Sequence, residues 1–171
     1  MDNKKKNLIT QNSIFENIVF LHDYITFSDG WYSGQILSGN YFDIRMDIIL
    51  NKDGSRFRDW CLWPHNQINH GQSTEDIIKS SALLPYEINN LNQFQYISGS
   101  YWISKKKVMV EFPLNEDLTW GEAEDVEWSK RVRLHYTFTM NTKSIVQFKK
   151  QKSVVFNLTT NEIIKKLDEL V

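Results

Sequence analysis

The chain has 171 residues, of which 41% are hydrophobic and 24% charged, and its net charge is -1. That is enough for one domain with a real core, 1–171, and the charge balance gives no reason to expect nucleic-acid binding. The single cysteine, Cys61, excludes a disulfide framework and a multi-thiolate metal site. With no apolar segment long enough for a signal peptide or a membrane span, the expected setting is cytoplasmic, any membrane contact being peripheral.

In chain order, residues 1–13 are polar and read as a frayed terminus or the end of a helix. Asn17-Ile18-Val19-Phe20-Leu21 is a continuous apolar run, the pattern of a strand buried on both faces and central in a sheet. It stops at His22-Asp23-Tyr24, a polar cluster at the carboxyl end of a strand, where open α/β sheets place their ligands. A turn hydrogen bond from Asp23 is the plainer alternative.

Phe27 to Tyr32 predicts a turn and a short helix, and Phe42 to Leu50 a second strand. Asn51-Lys52-Asp53-Gly54 is a turn word, predicting a hairpin into Phe57–Trp63. Between Trp60 and Leu62, Cys61 reads as a buried small residue rather than a nucleophile. Pro64 to Thr74 reads as an exposed loop over the active site, in which His65 and His70 lack a third ligand for zinc. Ser73 to Ile78 resembles a capped helix start. Further on, Gln95–Ser98 and Val108–Val110 bracket a glycine loop at Gly99. Tyr136–Thr139 and Ser144–Phe148 are two alternating strands around Asn141. Lys149, Lys150 and Lys152 form a small basic patch that would steer phosphates or solvate an edge strand. Residues 160–167 read as an amphipathic helix docked on the body.

The richest stretch is Trp120-Gly121-Glu122-Ala123-Glu124-Asp125-Val126-Glu127-Trp128-Ser129. Thr119 and Glu122 have capping-box spacing, so a helix is predicted to begin here. Trp128 and Val132 define its apolar face, with Gly121 beneath them, and Glu124 and Asp125 flank that face. Glu127 and Arg131 are spaced for an i,i+4 pair. Two readings follow from these residues: an acidic helix start favoured by the dipole, or carboxylates projecting into a cleft with one as general base. Six tryptophans suit a sugar-binding cleft, since flat rings stack on pyranoses, and equally a buried core; for Trp102 both readings stand.

Taken together, Ile97-Ser98-Gly99-Ser100-Tyr101-Trp102-Ile103-Ser104-Lys105-Lys106, Leu114-Asn115-Glu116-Asp117-Leu118 and the Trp120 to Ser129 stretch resemble the acceptor-side, C-terminal half of a GT-A fold glycosyltransferase, family 2-like. The resemblance is strongest over 96–133 and extends weakly upstream to about residue 7. It implies an α/β fold, a truncated GT-A-like mixed sheet flanked by helices and lacking the N-terminal nucleotide-binding strands. It implies Asp125 as general base, Glu124 holding the acceptor, and Gly99, Trp102, Trp120, Gly121 and Glu122 shaping the sugar pocket. It also implies a divalent metal, manganese or magnesium, bridging a nucleotide diphosphate. The family's Asp-x-Asp metal motif is here His-Asp-Tyr, leaving Asp23 and His22 as ligands and Tyr24 a poor second carboxylate.

The resemblance also exposes gaps. The strand–helix–strand units that hold base and ribose would have to precede Asp23, and no glycine-rich phosphate loop occurs elsewhere. His135 is too early to be the late histidine that completes the family's metal shell. The expected function is therefore hexosyl transfer from a nucleotide-sugar to a glycan or lipid-linked acceptor, with a protein partner supplying the nucleotide half; an exposed apolar patch or self-association is expected where that half would have covered the strand at 17–21. The alternatives are a non-catalytic carbohydrate-binding subunit or degenerate remnant, and a plain structural α/β domain.

Overall fold

The computed structural model describes residues 3–63, 81–89, 92–119 and 121–152, with 159, 161, 162 and 165 beyond them. The loop holding His65 and His70, the helix start at Ser73, Trp120, and most of the helix expected over 160–167 lie outside the described residues. The main body is a five-stranded mixed sheet. Its strands are β1 (Asn17–Leu21), β2 (Ile25–Phe27), β3 (Ile44–Leu50), β7 (Tyr101–Lys105) and β8 (Phe138–Phe148), in the order β1-β7-β3-β8-β2. Only the β3–β8 pair is parallel; β7 runs antiparallel to both β1 and β3. A smaller antiparallel sheet joins β5 (Ala82–Leu83), β4 (Cys61–Leu62) and β6 (Gln95–Tyr96).

Side chains that alternate along the strands divide the main sheet into two different faces. Register places Ile18, Phe20, Trp102, Ile44 and Met46 on one face, all buried. Trp102 stacks on Phe20 with ring centroids 4.6 Å apart and meets Trp128 at 6.3 Å. Trp128 belongs to α4 (Glu124–Val132), which covers this face together with α1 (Asn3–Asn12). The other face carries Arg45, Asp47, Tyr101 and Ile103 under α2 (Trp31–Ser38). Gly34 lets α2 lie against β8: a Cβ there would stand 2.1 Å from the Lys143 carbonyl oxygen.

Several expectations need correcting. Among the described residues the run at 17–21 is an edge strand, not a central one: it pairs there only with β7, and Val19 and Leu21 are half-buried while Ile18 and Phe20 are buried. A continuous apolar run cannot by itself distinguish burial on two faces from burial on one. The strand flanking the glycine loop is Tyr101–Lys105, whereas Val108–Val110 falls in α3 (Lys106–Glu111). The two strands around Asn141 are one, β8, with its register against β3 shifting between Asp47 and Ile48. The turn at 51–54 forms, with Gly54 at φ +83°, but it closes only one bridge, Leu50 to Arg56. Of the two readings of residues 1–13, the helix is the one found: 3–12 form α1, docked on the body. Asn7 donates to the Leu114 carbonyl at 2.9 Å and accepts from the Leu114 amide at 3.0 Å, while Asn3 donates to Asn115 O at 2.8 Å. These asparagines bury because their amides act as backbone-like partners for the 114–118 segment.

The helix of the acidic stretch starts four residues later than the capping-box spacing predicts. Thr119 and Glu122 do bond, amide to Oε2 at 2.6 Å and hydroxyl to Oε2 at 2.9 Å. Ala123, however, stands in the left-handed region at φ +58°, so the Thr119–Glu122 pair closes a turn before the helix and α4 begins at Glu124. Gly121, at φ +93°, is exposed ahead of the helix instead of lying under Trp128. The remainder of the helix follows the pattern: Trp128 and Val132 are buried, and Arg131 donates to Glu127 at 2.6 Å.

Candidate functional site

Three segments meet at one end of the main sheet. The first is the turn after β1, His22-Asp23-Tyr24, closed by the Ile25 amide on the His22 carbonyl at 3.1 Å. The second is the Ser98-Gly99-Ser100 loop that enters β7; its Ser100 carbonyl accepts the His22 amide at 3.1 Å. The third is the start of α4. There Asp125 Oδ2 accepts the Gly99 amide at 2.7 Å and Oδ1 accepts the Val126 amide at 2.9 Å. The glycine loop is thus bonded on one side to the strand-end turn and on the other to the helix carboxylate. Gly99 is needed for that approach, because a Cβ would stand 3.0 Å from Asp125 Oδ2. Ser129 fixes the helix to the same segment, accepting the Ile97 amide at 3.0 Å and donating to the Asp125 carbonyl at 2.6 Å.

The electrostatics around the carboxylates are uneven. Asp125 is buried and lies 3.5 Å from Arg58 Nη2 in an ion pair, both side chains 9% exposed. Glu124, also buried, is raised above the usual carboxylate range, first by burial and then by Asp125 beside it. The backbone amides of Glu124 and Gly121, and Lys6, pull it partly back. Opposite them the charge is positive. Lys152 Nζ donates to the Tyr24 hydroxyl at 2.5 Å and lies 3.4 Å from Ser100 Oγ. Burial, then Lys150 and Arg58, bring its ammonium down to about 8. His22 is pushed down to about 4 by burial and by positive neighbours that include Lys152 and Lys6. Tyr24 stacks on His22 at 5.0 Å, and burial raises its phenol.

The site residues expected from the sequence fall into distinct groups. Asp125, Glu124 and Gly99 adjoin one another, and the turn carrying His22 and Asp23 is bonded to the same loop. Trp102 is core: it is 1% exposed on the buried face of β7, so a sugar has no access to its ring. Gly121 and Glu122 are exposed in the turn before α4, and Glu122 is spent on Thr119. Trp120 lies outside the described residues. Arg58 was not among the expected site residues; Lys152 was expected only as part of a phosphate-steering basic patch, and Tyr24 only as a poor second carboxylate. Arg58 sits in an apolar-flanked stretch with no periodic signal, and Lys152 is the member of the 149–152 basic patch that the fold brings back to Tyr24.

A divalent cation, implied by the resemblance, needs oxygen-rich ligands. The donors at this turn are one exposed carboxylate, Asp23, one imidazole, and a phenol whose oxygen already accepts a hydrogen bond from an ammonium. No group of three His, Cys, Asp or Glu side chains able to hold a metal occurs among the described residues. This donor set does not fit a resident divalent metal. Cys61 is no alternative centre: it is fully buried, and burial pushes its thiol up to about 12.

Neither a family profile nor a curated protein matches the sequence. Among solved structures, the fold is similar to the inositol-1-phosphate CTP transferase from T. maritima, with a TM-score of 0.45 and 13% identity. That similarity covers 98% of this chain and 60% of that one, so the chain spans less than two thirds of its neighbour's length.

Proposed function

We propose that the chain is the acceptor-side half of a GT-A-like glycosyltransferase, which transfers a sugar from a nucleotide-sugar to an acceptor hydroxyl. The observation that supports this reading best is the junction at Gly99. One loop is bonded both to the strand-end His22-Asp23-Tyr24 turn and to Asp125 at the start of an acidic helix. The glycine loop and the acidic helix are elements on which the sequence resemblance rests, and the turn they are joined to lies far from them in the chain.

In this reading Asp125 is the general base. Its two oxygens are oriented by the Gly99 and Val126 amides, and the buried Arg58 holds it in an ion pair at 3.5 Å. Glu124, which holds its proton to higher pH than an ordinary glutamate, contributes a hydrogen bond to the acceptor. The nucleotide half comes from a partner chain and adds to the open edge of β1. The bonds from Lys106 N to Glu16 O and from His22 N to Ser100 O set the phase of β1 against β7, so the amides of Asn17, Val19 and Leu21 point outward. Beside that edge runs a groove of about 490 Å³, lined by Val19, Tyr32, Ile36, Phe42, Arg45 and Ile103. Tyr32 and Ile36 are 69% and 63% exposed, an apolar surface of the kind a partner covers.

Asp125→Asn tests the reading, because it keeps the volume and removes the base. In a transfer assay with the partner present, turnover should fall by about 10²–10⁴-fold, with the fold retained by circular dichroism. Turnover close to that of the natural chain would move the base elsewhere, first to Glu124.

A further inference from the structure

We propose that the positive charge facing the diphosphate of the nucleotide-sugar in this site is the ammonium of Lys152, in place of a divalent cation. The inference rests on the glycosyl-transfer reading and assigns a residue to the leaving-group side of that site. The turn after β1 is where a metal-dependent enzyme of this architecture would present carboxylates. Its third position here is Tyr24, and the Tyr24 oxygen is hydrogen-bonded by Lys152 Nζ at 2.5 Å.

Lys152 is held rather than dangling. Its backbone amide donates to Asn51 Oδ1 at 3.0 Å, which fixes the chain as it leaves β8. Its Nζ lies among three rings, 4.6 Å from the centroid of Tyr24, 4.9 Å from Phe148 and 5.4 Å from Phe57. Such faces stabilise a cation without neutralising it. Of the three ammonium protons, one goes to Tyr24 and one points toward Ser100 Oγ at 3.4 Å, leaving the third for a ligand oxygen. Lys150 Nζ, 3.9 Å from the Tyr24 centroid, adds a second positive charge at the mouth.

A fixed cation at this place does what a bridging metal would do: it offsets the charge that develops on the diphosphate as the sugar leaves. It also repels a divalent ion that would approach Asp23. A single ammonium has fewer contacts to offer than a hexacoordinate metal, so the isolated chain should hold a diphosphate only weakly, in roughly the millimolar range.

The test is an amide NMR titration of the full chain with inorganic pyrophosphate, first with EDTA and then with magnesium. The expected result is that pyrophosphate shifts the Gly99, Ser100 and Lys152 amides in EDTA and that magnesium adds nothing. Lys152→Gln should weaken the binding about tenfold. Lys152→Arg should retain it, and Asp23→Asn should leave it unchanged or tighter. Spectra of each variant report separately whether it folds. Binding that requires magnesium and is lost in Asp23→Asn would overturn the inference while leaving the glycosyl-transfer reading intact. Shifts spread over exposed lysines, with none at Gly99 to Lys152, would overturn it as well. No binding under either condition would overturn it and remove the diphosphate from the proposed function.

Discussion

Two aspartates of the main sheet, Asp47 and Asp23, show opposite uses of the same side chain. Asp47, in the middle of β3, is 0% exposed and accepts four hydrogen bonds. They come from Trp31 Nε1 at 3.0 Å, Gln35 Nε2 at 2.6 Å, Asn141 Nδ2 at 2.9 Å and the Tyr101 hydroxyl. Two donors come from α2, one from β7 and one from β8, so a single carboxylate ties the helix to the sheet. Asp23, just beyond β1, is exposed and makes no hydrogen bond among the described residues. A buried carboxylate is tolerated only when its lone pairs are filled, and a filled carboxylate has nothing left for a ligand. Asp125 lies between these extremes: buried like Asp47, but ion-paired and next to the turn that carries Asp23.

The strongest way to break the comparison is Asp47→Ala. It would take the acceptor away from the Gln35 amide and the Tyr101 hydroxyl under α2, leave Trp31 and Asn141 with only their bonds to Tyr101 and Ser144, and should cost about 3–5 kcal/mol in chemical denaturation. The matching change at the surface, Asp23→Ala, should stay within about 0.5 kcal/mol. Comparable losses for the two would mean that the Asp47 cluster is not what holds α2 down. Between them falls Gly99→Ala, where a Cβ 3.0 Å from Asp125 Oδ2 and 3.3 Å from its Cβ must displace the Asp125 side chain. About 1–3 kcal/mol of stability is the expected loss, together with the bond that orients Asp125. A variant as stable as the natural chain would show that loop and helix are not in tight contact.

These contrasts also mark how far the sequence could be read. The apolar run at 17–21, the polar turn after it and the apolar face of α4 were legible because each is a local pattern. The place of β1 at the sheet edge was not, since strand order depends on pairings between segments some 80 residues apart. Asp47 looked like one more residue of an alternating strand; nothing local says that Trp31, Gln35, Tyr101 and Asn141 converge on it. The helix start was misplaced because the Thr119–Glu122 spacing is satisfied equally by a turn, and the left-handed Ala123 decides between them. Within the site, Glu124, Asp125 and Gly99 were readable as an ordered set. Arg58 was not, for a lone basic residue acquires meaning only from what the fold puts beside it; Lys152 was legible as part of a basic patch, but its bond to Tyr24 was not.

The smallest expected effect is a pH dependence, and it distinguishes the His22 turn from the Asp47 cluster by sign. His22 is held at about 4, below its ordinary value near 6.5, by burial and by positive neighbours that include Lys152 and Lys6, with Asp23 opposing. The folded chain therefore binds fewer protons at His22 than the unfolded chain between those two values. Linkage then makes stability fall as pH is lowered from about 6.5 to about 4, with no further His22 contribution below that. Asp47, Asp59 and Glu124 act in the other direction. Burial raises each of them, so each contributes stability at low pH that is lost as pH rises through its folded-state value. The net curve mixes both senses, and the His22 part has to be read as a difference. Denaturation midpoints of the natural chain and of His22→Gln, measured from pH 7 down to pH 4, should diverge on acidification, with the variant losing less. The size should be modest, because the imidazole is only half-buried and solvent screens its neighbours. Parallel curves would show that His22 titrates normally and that the positive surroundings assigned to the turn are not there.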